Sequence, residues 1–220
     1  MRPPATFLVS IDRAATPFVL IAALPALALA VAGWPIAAVA LLVLPLAVTL
    51  FFRDPDRSPP SDADAILSPA DGTVLHAGVA RPAEAPPGEW QQVTIFLSLF
   101  DVHINRTPTP GRITKVTHVP GSFLAAFKPD AHRNEHSEIW VDRRGIMVVF
   151  RQVVGVLARR VVTRVKAGDT LETGARIGLM KFGSRMDVFL PTDAVVMARK
   201  GDKVRAGETV IARVHAQGQS

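Results

Sequence analysis

Hydrophobic and polar positions are distributed very unevenly along this chain. Residues 17–52, PFVLIAALPALALAVAGWPIAAVALLVLPLAVTLFF, contain no charged side chain. The GWP at 33–35 divides this run into arms of 16 residues (17–32) and 17 residues (36–52). Each arm is near the lower limit of the ~20 residues needed to span a bilayer as a helix. Arg2 and Arg13 precede the first arm, Arg53 and Arg57 follow the second, and the turn between them carries no charge. The positive-inside rule then places both ends in the cytoplasm, so residues 1–53 are expected to form an N-terminal helical membrane hairpin. A cleaved signal peptide fits less well, because the apolar region is about twice the usual 7 to 15 residues.

Beyond the apolar run the pattern changes twice. FFRDPDRSPPSDAD (51–64) holds four Asp and three Pro, both of which resist helix continuation, so 54–64 reads as a linker. From AILSPADGTVLHAGV onward, short β-branched runs alternate with Gly, Pro and Asp, as in WQQVTIFLS (90–98), GRITKVTHV (111–119), SEIWVD (137–142), GIMVVFRQVVG (145–155) and RRVVTRV (159–165). That spacing predicts a mainly β domain, sandwich-like or barrel-like, over 65–220. A repeat lies near the end: KAGDTLETGARI (166–177) and RKGDKVRAGETVI (199–211) align Gly168 with Gly201, Asp169 with Asp202 and Gly174 with Gly207, all offset by 33. The repeat predicts two strand-turn-strand units of the kind found in lipoyl and biotinyl carrier domains.

Charge and composition narrow the choice of partner. A net charge of +6 and a pI near 10.5 suit either nucleic acid or an anionic membrane surface. Apart from the Arg pairs at 143–144 and 159–160 the basic residues are scattered, and tyrosine is absent. The checklist for a nucleic-acid face is therefore not met, and the apolar run favours the membrane. The chain has no cysteine, which excludes disulfides, thiolate nucleophiles and Cys-ligated zinc.

Four stretches carry candidate chemistry: SPADG (68–72), FDVHINRTPTPG (100–111), NEHSE (134–138) and FGSR (182–185). Each alone has an ordinary reading. Asp71-Gly72 is a common hairpin turn, Gly183-Ser184 could be another, and His103 could be a hydrogen-bonded structural histidine. His76 and His118 read as surface or structural. Together the stretches supply a carboxylate, an imidazole, a hydroxyl and an unhindered peptide bond. A Ser-His-Asp hydrolase is the first reading of that set, but G-x-S-x-G and an alternating βα pattern are missing. Lys181, in LMKFGS, suggests instead a membrane-anchored carrier module modified on that lysine.

Taken in order, FFRDP, SPADG, DVHINR, NE and G.RIG followed by FGSR.D..LP resemble the phosphatidylserine decarboxylase family in its short form, over nearly the whole chain. The resemblance implies a proenzyme that cuts itself between Gly183 and Ser184. Ser184 Oγ attacks the Gly183 carbonyl, and elimination leaves a β chain (1–183) and an α chain (184–220). Residue 184 becomes a covalent pyruvoyl group, which serves as the cofactor with no metal. The implied reaction is decarboxylation of phosphatidylserine to phosphatidylethanolamine through a Schiff base. His103 is the expected base, oriented by Asp71. Longer members of the family have H-x-x-H where this chain has His103 and Arg106. His136, Glu135 and Arg106 are accordingly possible supporting residues. The expected partners are a phospholipid membrane, the lipid substrate and the two cleavage fragments as a heterodimer or higher oligomer, with no nucleic acid. The expected location is the cell membrane, with the catalytic domain on the cytoplasmic side. Phe123, Phe127 and Lys128 could dip into the interface, or the two Phe could be core.

Overall fold

The computed structural model describes residues 10–156, 161–181 and 183–214. Arg2, Arg159, Arg160 and Phe182 lie outside these. The chain separates into two compact units, Met1–Asp56 and Arg57–Ser220. In the first, β1 (Ser10–Ile11) leads into α1 (Thr16–Val31), α2 (Pro35–Leu41), α3 (Val43–Phe51) and β2 (Arg53–Asp54). A one-turn 3-10 helix precedes α1, and the Asp12 carboxylate caps it by accepting the Ala14 N–H at 2.8 Å. The chain reverses at GWP, as the sequence predicts, and the Phe18 and Phe52 rings stack at 5.5 Å where the two arms begin and end. Arg13–Val31 is long and apolar enough to cross a membrane by length and composition, whereas Pro35–Phe51 is shorter. Leu20, Ile21, Leu24 and Leu27 of α1 are all more than half exposed. A helix apolar on all sides and exposed has no aqueous core to serve.

The second unit is mainly β, as expected. Its strands are β3 (Ala65–Leu67), β4 (Gly72–Val79), β5 (Gln91–Leu97), β6 (Ile104–Arg106) and β7 (Gly111–Val119), then β8 (His136–Arg143), β9 (Ile146–Val153) and β10 (Val161–Thr163). They continue with β11 (Thr170–Leu171), β12 (Arg176–Met180), β13 (Ser184–Leu190), β14 (Val195–Val196), β15 (Lys203–Val204) and β16 (Val210–Arg213). Eight strands form an antiparallel sheet in the order β11-β7-β8-β9-β13-β5-β4-β15, and two three-stranded sheets run β10-β12-β6 and β14-β16-β3. Because side chains alternate between faces, Ile139, Phe150, Met186, Val188, Val93 and Ile95 share one core with Ile66, Ile177, Met180 and Ile211 of the small sheets. Burial of these side chains, each worth about 1.5–3 kcal/mol, holds the layers together.

The other face of the large sheet is polar and still buried. Arg185 Nη2 lies 2.9 Å from both Glu84 and Asp187 carboxylates, and all three side chains are at most 5% exposed. Gln92 donates to Glu84 and to Thr94, and Thr94 donates to Asp187 at 2.7 Å, so the charges are hydrogen-bonded as well as paired.

The 33-residue repeat has matched geometry. Gly168 and Gly201 have φ of 94° and 97°, and Gly174 and Gly207 have φ of 70° and 72°. Asp169 accepts the Lys166 N–H, and Asp202 accepts the Arg199 N–H. The following strands, β11 and β15, pair with β7 and β4 at opposite edges of the large sheet. A second correspondence lies upstream, in SPADG and TPTPG. Ser68 Oγ donates to the Ala70 carbonyl and Thr107 Oγ1 to the Thr109 carbonyl, both at 2.6 Å, just before β4 and β7 respectively.

Residues 57–64 contain no helix or strand, but they are tied to the β unit. Arg57 pairs with Asp71 and Glu208, and Arg213 pairs with Asp62. Arg143 donates to the Ala63 and Ala65 carbonyls.

Candidate active site

The Gly183-Ser184 bond sits at a junction between sheets. β12 ends at Met180 in a three-stranded sheet, and β13 begins at Ser184 in the middle of the eight-stranded one, so only three residues connect them. Gly183 has φ of 65°, in the left-handed region that glycine alone enters without penalty. A Cβ there would meet nothing within 4 Å, so the conformation, not crowding, calls for glycine. Ser184 is fully buried and stands opposite Leu97 of β5. Its Oγ lies 3.5 Å from the Lys181 carbonyl, at the long limit for a hydrogen bond.

The Gly183 carbonyl is held from the other side by Gly155, just past the end of β9. A Cβ on Gly155 would lie 1.7 Å from the Gly183 oxygen, 3.0 Å from its carbon and 3.6 Å from Ala126 Cβ. No side chain fits that gap. Gly155 is therefore a positional requirement of the Gly183 carbonyl, and it carried no signal in the sequence beyond the end of a strand.

β6 and β12 bring His103 to this junction. Ile104 pairs with Leu179, and the Met180 N–H donates to the His103 carbonyl at 3.2 Å, four residues before Ser184. The imidazole is 1% exposed, and its Nδ1 donates to the Asp101 carbonyl at 2.9 Å. In a neutral ring that bond leaves the lone pair on Nε2, the state required of a base. The Asp101 carboxylate in turn accepts the Ser98 N–H at 2.7 Å and the Ser98 hydroxyl at 2.6 Å, closing the turn after β5. Asp101 therefore fixes the imidazole through its main chain.

Asp71, expected to orient His103, is engaged differently. Its Oδ2 pairs with Arg57 at 2.8 Å and its Oδ1 accepts the Ala206 N–H at 2.8 Å. Its carboxylate joins the start of β4 to the turn of the second repeat. Arg106 is buried and donates to the Gly174 carbonyl at 3.0 Å, with its Cδ packed against the Gly207 position, so it braces the paired glycine turns.

His136 and Glu135 stand at the start of β8. The register aligns His136 with Val153 and Val153 with Arg185, so His136 shares the polar face with Arg185 and Asp187, while Ser184 shares the opposite face with Met186 and Gln152. Burial pushes the His136 pKa below its ordinary 6.5. Arg151 acts the same way, and the Asn134 carbonyl, Glu138 and Asp187 oppose it. Glu135 Oε1 lies 3.6 Å from His118, which is thereby placed as a surface partner. His76 Nε2 lies 3.0 Å from the Val79 carbonyl. Asn134, read only as part of a motif, ties the 121–128 loop to β9. It exchanges bonds with Leu124 N–H and carbonyl and donates to the Val154 carbonyl, one residue before Gly155.

A family model described as "Phosphatidylserine decarboxylase" matches residues 44–212. A protein of Geotalea uraniireducens named "Phosphatidylserine decarboxylase proenzyme" is 42% identical over 197 residues, covering 89% of this chain and 92% of its own. Proteins with the same name from Symbiobacterium thermophilum (45% identical, covering 93% of this chain and 95% of theirs) and Erythrobacter litoralis (44%, covering 89% and 84%) are also similar.

Proposed function

The chain belongs to the phosphatidylserine decarboxylase family, and from that premise we propose that it cuts itself between Gly183 and Ser184 and then converts phosphatidylserine to phosphatidylethanolamine and carbon dioxide. The observation that carries the reading is the junction itself. A buried serine follows a left-handed glycine whose carbonyl is pressed against Gly155, three residues from the strand that brings in His103.

Self-cleavage starts when His103 Nε2 takes the Ser184 hydroxyl proton. The Oγ–carbon bond forms at Gly183, the peptide C–N bond breaks, and the proton passes to the freed Ser184 nitrogen. Loss of the Ser184 α-proton then expels Gly183 as a carboxylate and leaves dehydroalanine. Addition of water releases ammonia and leaves a pyruvoyl group on the smaller chain. The surroundings fit that group: residue 184 is enclosed, and its strand is paired on both sides, so a planar ketoacyl cap replaces the serine without opening the sheet.

When present, the pyruvoyl group supplies an electron sink for the bond that releases carbon dioxide. The chain's own residues do the rest. His103, anchored through Nδ1, holds the proton that the product carbon needs. The buried position excludes bulk water from it. The apolar N-terminal unit keeps the protein at the bilayer where a two-chain lipid resides, with both of its ends and the β unit on the cytoplasmic side.

The test is a denaturing gel with intact-mass measurement on purified protein, alongside an assay of phosphatidylserine loss. Two fragments ending and beginning at 183 and 184, the smaller with a blocked N-terminus, are expected. A single 23.6 kDa chain in an active preparation would overturn the reading, and Ser184→Ala should stay whole and inactive.

A further inference from the structure

Four chain segments meet at the end of the large sheet where β13 begins: the turn after β5, the 121–128 loop, the segment after β9 and the β12–β13 junction. Among the described residues of the second unit, nine large apolar side chains are exposed, and six of them lie on these segments. They are Leu99 (48% exposed), Phe100 (87%), Phe123 (40%), Leu124 (38%), Phe127 (59%) and Val156 (55%). The sequence left Phe123 and Phe127 open between core and interface, and the structure puts both outside the core.

These residues are held together. The Phe127 ring stands edge-on to Phe96 of β5 with centroids 5.8 Å apart. Asn134 bonds Leu124 to Val154, and Ala126 lies against the Gly155 position. The turn that carries Leu99 and Phe100 is fixed by Asp101, whose carboxylate takes both Ser98 groups. Phe100 is therefore presented outward by a braced turn, immediately before Asp101, whose backbone carbonyl anchors His103.

We propose that this rim is a docking surface for the face of a phospholipid bilayer, with Phe100 and its neighbours entering the boundary between headgroups and acyl chains. The choice of a bilayer rests on the phosphatidylserine reading and on the N-terminal helix, which is long and apolar enough to cross a membrane. A rim of apolar side chains around the reacting bond lets a lipid slide its headgroup inward while its chains stay in hydrocarbon. Exposed basic and acidic residues are mixed in the 121–135 loop, with Lys128 and Arg133 against Asp130. Apolar insertion thus carries the docking, and added salt should alter it little.

The chain contains no cysteine, so single sites can be labelled in the full-length protein. An environment-sensitive fluorophore on Phe100→Cys should brighten and shift to the blue when phosphatidylserine/phosphatidylcholine vesicles are added. The same label on Val195→Cys, which is 55% exposed and on another strand, should not. A label at 100 that stays aqueous overturns the proposal whatever the activity, and so does one that shifts without vesicles as protein concentration rises, which would mark contact with a second copy. A second measurement uses the Leu99→Ser/Phe100→Ser double variant. It should still cleave itself fully and act normally on monomeric short-chain phosphatidylserine. On vesicle-borne substrate its apparent KM should rise about tenfold or more, the expectation for losing most of one buried aromatic contact. Equal loss on both substrates would overturn the docking role. Failure of the unaltered protein on both would instead overturn the proposed reaction and leave the fluorescence to decide the docking.

Discussion

At the scale of single residues, the junction separates two reasons for a glycine. Gly183 needs one for its backbone conformation, and Gly155 needs one for space. Gly155→Ala must push the Gly183 carbonyl out of the path of Ser184 Oγ, and a displacement of about 1 Å at a reacting centre costs on the order of 100-fold in rate. The variant should accumulate as uncleaved chain, with a cleavage half-time at least ~100-fold longer in a time course on denaturing gels. Because the displaced atoms are backbone, its melting temperature should fall too, so the time course is run at a temperature where circular dichroism shows the variant folded. Prompt cleavage would remove Gly155 from the mechanism. The Gly183-Ser184 pair can be picked out from the sequence because a flexible residue and a hydroxyl stand in adjacent letters. Gly155 cannot, because the requirement arises only when β9 and the β12–β13 link are brought together by the sheet. Asp71 shows the same limit: a carboxylate in SPADG looks available to His103 until Arg57 and Ala206 are seen to engage it.

At the scale of elements, β13 has one face in the hydrophobic core and the other in the Glu84–Arg185–Asp187 network. Burial acts to raise the Glu84 pKa, but Arg185, Arg81 and Gln92 more than offset it, so the net shift is below the ordinary 4.5. A depressed carboxyl pKa stabilises the fold fully above about 4.5, and that contribution is lost as pH falls through the folded-state value. Glu84→Gln should flatten the stability profile in that acid window. It should also destabilise the protein at pH 7 by about 3–5 kcal/mol, because it leaves the buried Arg185 with one carboxylate fewer. Urea unfolding of the Ser184→Ala chain from pH 3 to 7, with and without Glu84→Gln, measures both effects. The strands themselves were readable from β-branched runs and their punctuation, and the positions of β5, β7, β8 and β9 follow the sequence closely. Glu84 was not readable as a core residue, since it lies in a Pro-rich and Ala-rich loop whose burial depends on the sheet face beneath it.

At the scale of the whole molecule, the proposed cleavage would change the covalent map far more than the packing. The portion after residue 183 supplies β13, β14, β15 and β16, which take part in two different sheets. β13 is flanked on both sides, by β5 along its whole length and by β9 along most of it, and Asp71 of the larger portion grips the turn at Ala206. Met186, Val188, Phe189 and Leu190 are fully buried, which contributes on the order of 6–12 kcal/mol of apolar burial from this strand alone. Opening one loop bond cannot offset that. The two fragments should therefore co-elute at native pH in size-exclusion chromatography and separate only when unfolded by denaturant, and a mixture of isolated fragments should regain the native elution position on dilution. Separation of the smaller fragment under native conditions would mean that the strands after residue 183 are held by chain continuity instead of by the sheet. The ordered motifs of the sequence lead to the proposed cut and to the expectation of two associated fragments. What holds the pair depends on β13 lying at the centre of an eight-stranded sheet, a placement set by its pairing with β5, a strand about ninety to a hundred residues away in the chain.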